Sequence, residues 1–84
     1  MRTRFFALGP EADGTYQFWS VPPKAKERVQ MSRQLGEEYG HQLLAQGCEW
    51  CEEQLAHQHW LKSGPYCIKI TDQLSAAAFK LRWC

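Results

Sequence analysis

Tyr66-Cys67-Ile68-Lys69-Ile70-Thr71 alternates between apolar and polar side chains, and Ala77-Ala78-Phe79-Lys80-Leu81-Arg82-Trp83 repeats the pattern. A period of two is what a strand shows when one face packs on a core and the other meets solvent. The last third of the chain therefore reads as two strands joined across Thr71-Asp72-Gln73-Leu74-Ser75. The second run carries a competing signal. Leu74, Ala77, Ala78 and Leu81 also fall at helical spacing, and three consecutive alanines favour helix. The alternation and the aromatic ending tip residues 77–83 toward strand.

The beginning reads as a hairpin. Thr3–Leu8 and Thr15–Val21 are rich in aromatic and β-branched residues and flank Gly9-Pro10-Glu11-Ala12-Asp13-Gly14, a cluster of turn formers. Both strands carry apolar residues on each face, so the sequence leaves open which side is the core. Ser20-Val21-Pro22-Pro23 closes the hairpin and opens a helix, since proline is tolerated in a first turn. From Lys24 to Gln46 there is no proline and no alternation, and Val29, Ser32, Gly36, Tyr39, Gly40 and Leu43 form one stripe. Gly36 and Gly40, four apart, are expected to admit a close neighbour on that face. Gly47 is expected to break the helix, and a second helix to run from Cys48 to Lys62, stopped by Ser63-Gly64-Pro65. Its core face is Cys48, Cys51, Leu55 and His59, with Trp50, His57 and Leu61 opposite.

These elements give an α+β fold in the order β-β-α-α-β-β: a small four-stranded antiparallel sheet with two helices on one face, in a single domain, 1–84. The expected core is Phe5, Phe18, Leu35, Tyr39, Leu43, Leu55, Ile68, Ile70, Phe79 and Leu81. With 84 residues the core is thin, burying roughly 60–65% of the unfolded surface. Four Trp are more than so small a core hides, so an exposed aromatic is expected. No apolar run reaches the length of about 20 residues that spans a bilayer. The apolar run after the basic start stops at Leu8, short of a secretory signal, so a cytoplasmic location is expected. Cys48, Cys51, Cys67 and Cys84 then read as thiols, with an oxidised pair left open.

The motifs argue against an enzyme. Cys48-Glu49-Trp50-Cys51 can open a zinc knuckle, with His57, His59 or Cys67 completing it. On a continuous helix, however, His59 lies about 12 Å along the axis from Cys51, too far to share an ion. Cys48, Cys51, His59 and Cys67 are the set a zinc protein would use, and this is the third reading. A redox role for Cys48 and Cys51 is disfavoured because the motif follows a helix and adjacent glutamates oppose a thiolate. His41, His57 and His59 lack a nucleophile or carboxylate at a catalytic spacing, and no phosphate loop is present. No catalytic residue, cofactor or small-molecule substrate is expected.

Charge is segregated beneath a net of +1. Residues 1–33 balance at +3, residues 34–61 at −5 with no Lys or Arg, and residues 62–84 at +3. If the last strands face inward with Ile68, Ile70, Phe79 and Leu81, then Lys69, Lys80 and Arg82 point outward, joined by Arg2, Arg4 and Trp19 from the hairpin. Cations beside an exposed aromatic suit single-stranded nucleic acid, which makes a nucleic-acid-binding module the runner-up. The acidic segment supplies the leading reading. Glu37, Glu38, Glu49, Glu52 and Glu53 around Trp50 present carboxylates and an aromatic anchor to a basic protein surface. In general character (small size, no targeting, catalytic or cofactor motif, segregated charge, many aromatics) the chain resembles the single-domain inhibitors encoded by phages and mobile elements, such as anti-CRISPR proteins. Those families share no motif, so no residue carries over. The resemblance implies a non-enzymatic binder of a host protein or nucleoprotein complex, acting in the host cytoplasm.

Overall fold

The turn cluster joins a hairpin as its composition implies. In the computed structural model, which describes residues 4–84, β1 (Phe6–Leu8) pairs antiparallel with β2 (Tyr16–Trp19). Asp13 holds the turn by accepting from the Thr15 backbone N–H at 3.0 Å and its hydroxyl at 2.6 Å. Thr3, the expected start of β1, lies outside the described residues.

After Pro22-Pro23 come α1 (Ala25–Leu35) and α2 (Tyr39–Gln54). The break between them falls at Gly36, whose φ of +93° is a conformation that glycine adopts without strain. The expected break at Gly47 does not occur, and α2 runs through it. A Cβ on Gly47 would stand 2.6 Å from Phe5 Cζ and 3.1 Å from Ile68 Cδ1, so this glycine lets the helix press onto the sheet. Gly40 serves similarly, with Val21 Cγ1 at 2.5 Å and the Tyr66 ring at 3.0 Å from such a Cβ. The close-approach reading thus holds for Gly40 and fails for Gly36.

The second expected helix, Cys48–Lys62, is not found. α2 ends at Gln54, a 3-10 turn covers His57–His59, and Trp60–Lys62 is strand β3. β3 pairs antiparallel with β4 (Cys67–Ile70), the strand read from alternation, which in turn pairs with β2. The sheet order is β1-β2-β4-β3. Residues 77–83 are not a strand. They belong to α3 (Gln73–Trp83), nucleated where the Asp72 carboxylate accepts from the Ser75 backbone N–H at 3.0 Å and its hydroxyl at 2.9 Å. The fold is α+β with a four-stranded antiparallel sheet as expected, but with three α-helices, and the element order gains a terminal helix.

Opposed residues in a ladder share a face. Ala7, Phe18, Ile68 and Lys62 stand in one row, and Tyr16, Ile70 and Trp60 in the next, on the face that meets the helices. The core there comprises Phe5, Phe18, Leu43, Leu44, Cys51, Ile68, Ile70, Ala76, Phe79 and Trp83. Phe79 is at its centre, with ring centroids 5.0 Å from Phe5 and 4.5 Å from Phe18. Tyr39 and Leu55 pack against this cluster half-buried, and Leu35 is half-buried outside it. Leu81 is a correction: it is 90% exposed, because helical spacing puts Phe79 and Trp83 inward and turns Leu81 away. None of the residues of α1 is buried. It is tied to the preceding turn by the Arg28 guanidinium, which donates to the Pro22 and Pro23 carbonyls at 3.2 and 3.1 Å.

Candidate protein-interaction surface

Gly40, Leu43, Leu44, Gly47 and Cys51 are the buried side of α2. At 100° per residue the opposite side carries Gln42, Ala45, Glu49, Glu52 and Glu53. All five are exposed. Glu37 and Glu38 precede the helix in the turn after Gly36 and are exposed too. The two groups of acids differ physically. Glu37 and Glu38 sit at the helix N-terminus, where the macrodipole favours negative charge. Glu49, Glu52 and Glu53 sit in the last third, where it does not, and as i, i+3 and i, i+4 neighbours they repel one another. Among the described residues none of the five forms an ion pair; the one close contact between a carboxylate and a basic side chain is His59 Nδ1 to Asp72 Oδ2 at 3.9 Å. Lys62 acts electrostatically on the Cys48 thiol of α2 without bridging to these carboxylates.

Trp50 does not stand exposed among the acids. It is half-buried and meets the Phe79 ring edge-on, with centroids 5.7 Å apart and an interplanar angle of 82°. It lies on the flank of α2, where the helix period turns it toward α3. The acidic patch therefore lacks its expected aromatic anchor.

The basic sheet face is also not assembled as expected. Lys69 occupies the sheet face away from α2 and α3, opposed by Gln17 on one side and Leu61 on the other, and is half-buried. Trp19 shares that face, opposed by Phe6 and Cys67, with its indole N–H donating to Gln17 Oε1 at 3.1 Å. Lys80 and Arg82 belong to α3 instead, and Arg82 lies over the Trp83 ring at 4.1 Å. Arg4 lies 5.8 Å from the Phe6 ring centroid, and Arg2 falls outside the described residues. Of the five cations expected on one face, the four described are thus divided: Lys69 is in the sheet, Arg4 precedes β1, and Lys80 and Arg82 are on α3.

Cys48, Cys51, His59 and Cys67 are not gathered. Among the described residues no group of three or more His, Cys, Asp or Glu is placed to hold a metal ion. Cys51 is fully buried on the core side of α2, whereas Cys67 belongs to the opposite face of the sheet. All four cysteines are free thiols. Burial pushes the Cys51 thiol up to about 12, helped by its neighbour Cys48. Burial also raises Cys48 and Cys67, outweighing the opposing pull of Lys62 and Lys69. Protonated thiols are weak nucleophiles and weak ligands. Of the histidines, His41 meets the Tyr66 hydroxyl at 3.2 Å and lies tilted against its ring, with centroids 4.7 Å apart. A groove of about 390 Å³ between α1 and the start of β1 is lined by Phe6, Met31, Leu35 and Tyr39 together with Arg4, Glu27 and two glutamines. It holds no cysteine or histidine.

One surface escaped the sequence reading. Leu74, Ala77, Ala78 and Leu81, noted for their helical spacing, lie on the outer side of α3, with Leu74 81% and Leu81 90% exposed. The sequence signal for this surface is the helical spacing of these four residues, which a strand over 77–83 would split between two faces. No helix among the described residues is long and apolar enough to cross a membrane. Comparison with known proteins found no matching family model, no matching curated protein and no matching solved structure.

Proposed function

We propose that this chain is a non-enzymatic binding protein of the small-inhibitor kind found in phages and mobile elements. On this reading it engages a basic surface of a host protein or nucleoprotein complex through the acidic outer side of α2. The observation that carries it is the placement of Glu49, Glu52 and Glu53. Three carboxylates within one and a half turns, unpaired among the described residues and at the unfavourable end of a helix, lower stability rather than raise it. Departures from local stability rules are expected at functional surfaces, where a partner offsets them. An acidic patch steers a basic partner and sets orientation. Glu37 and Glu38 extend the same sign to the other end of α2. Trp50 supports the patch from beneath by fixing α2 on α3, rather than inserting into the partner. Direct nucleic-acid binding has less support, because Lys69, Lys80 and Arg82 do not share a face.

The test is a paired capture from nuclease-treated host extract, using the wild type and Glu49→Lys/Glu52→Lys/Glu53→Lys as baits. A basic protein held by the wild type and lost from the variant is the expected result. Equal retention of the same partner by both baits would overturn the assignment. A wild type that captures nucleic acid before nuclease treatment and no protein after it would favour the runner-up.

A further inference from the structure

α3 is apolar on two sides. Ser75, Ala76, Phe79 and Trp83 face the core, while Leu74, Ala77, Ala78 and Leu81 make a second stripe at i, i+3, i+4 and i+7 with nothing packed on it. An apolar stripe on the side of a surface helix away from the core is a surface that a partner can bury. We infer that α3 is the contact helix of a weak homodimer, packing antiparallel on α3 of a second copy across a two-fold axis between Ala77 and Ala78.

Three features choose a second copy. The first is self-complementarity. An isologous contact requires each patch to map onto itself. Turning the stripe about the midpoint of Ala77 and Ala78 brings Leu74 against Leu81 of the second copy, and Ala77 against Ala78 of the second copy. The large residues then pack at the ends and the small ones at the crossing, where backbones approach most closely. The second feature is charge. The exposed cations of α3, Lys80 and Arg82, are both in its C-terminal half, and its first turn holds Gln73 beside the Asp72 cap. An antiparallel pair sets the cationic half of each helix against the cation-free half of the other, next to Asp72, and opposes the two macrodipoles. A parallel pair would align Lys80 with Lys80. The third is relief beside the stripe. A recess of about 190 Å³ lined by Tyr16, Gln73, Ala76, Ala77 and Lys80 offers room for side chains of the second copy.

The stripe spans only two helical turns, well short of the roughly 800 Å² per partner of stable complexes, so association is reversible and concentration-dependent. The inference stands independently of the acidic side of α2.

Sedimentation equilibrium from about 10 µM to about 1 mM, around the weak end of the affinity scale, tests it. The wild type should shift from a mass of 9.8 kDa toward twice that value. Leu74→Lys/Leu81→Lys should weaken the dimer at least tenfold. Lysine keeps helix propensity close to that of leucine, and both positions are exposed, so circular dichroism should be unchanged. A second arm uses Ala78→Cys in a Cys84→Ser background. The new thiol near the axis should form an intermolecular disulfide under mild oxidation much faster than Ala45→Cys on the outer side of α2. A wild type monomeric at every concentration overturns the proposal. So does a dimer unaffected by the two lysines, or equal cross-linking at 45 and 78.

Discussion

Reversing two charges at the end of α2 should stabilise the fold while removing its proposed contact. Glu52 and Glu53 occupy the last turn of α2, which holds no basic residue. The C-terminus of a helix carries partial negative charge, so a carboxylate there is unfavourable by about 0.3–1 kcal/mol at low salt. Glu49, three and four residues earlier, repels each of them by roughly 0.2–0.5 kcal/mol. Glu52→Lys/Glu53→Lys turns both repulsions into attractions, in the favourable order with the glutamate first, and places cations where the macrodipole wants them. Allowing for solvent screening at these exposed positions, the net gain is about 1–2 kcal/mol. For a domain of this size that raises Tm by roughly 5–15 °C. Urea unfolding followed by circular dichroism measures it. At about 0.5 M salt, where the screening length falls below roughly 5 Å, most of the gain should vanish. A variant no more stable than wild type at low salt would show that the carboxylates are already compensated in the native fold.

Three further outcomes follow from the packing of α3 and α2. Phe79→Ala, at a fully buried ring among Phe5, Phe18 and Trp83, should cost about 3–5 kcal/mol, whereas Leu81→Ala, 90% exposed, should change stability by less than about 0.5 kcal/mol; equal losses in urea unfolding would restore the strand reading of 77–83. The Asp72 carboxyl is held below its ordinary value by the Ser75 N–H and hydroxyl, so its contribution is complete above about pH 4 and is lost as pH falls through the depressed folded value; Asp72→Asn should reduce the drop in stability over that acidic range. Burial raises all four thiols, so exposure sets the order: alkylation of the native protein should modify exposed Cys84 first and reach buried Cys51 and Cys67 only on unfolding, as peptide mass spectrometry would show.

What the sequence made legible follows from how local each cause is. The hairpin turn and β4 were readable because turn chemistry and a half-buried face both leave marks within a few residues. β3 left none. Trp60-Leu61-Lys62 is too short for a period, and it becomes a strand by pairing with β4. α3 was ambiguous because it is apolar on two sides, so periods of two and of 3.6 both fit Ala77–Trp83. Asp72 followed three residues later by Ser75 is a helix-cap signal that is present in the sequence and that the strand reading of 77–83 left out. Gly47 misled for a different reason: glycine marks both chain breaks and tight packing, and only the Phe5 ring against it tells which. The acidic residues were legible as a patch because charge tends to stay outside. Trp50 was not, since whether a flank residue meets solvent depends on α3 lying beside it.

Zero-length carbodiimide cross-linking of the chain to the partner it captures, mapped by mass spectrometry, tests the central proposal most directly. The reagent joins carboxylates to lysines already within ion-pair reach. Glu49, Glu52 and Glu53 of α2 are expected to be the residues coupled to lysines of the partner, and these couplings should disappear at high salt along with binding. Couplings running instead from Lys69 or Lys80 to carboxylates of the partner, with the α2 glutamates unmodified, would contradict it.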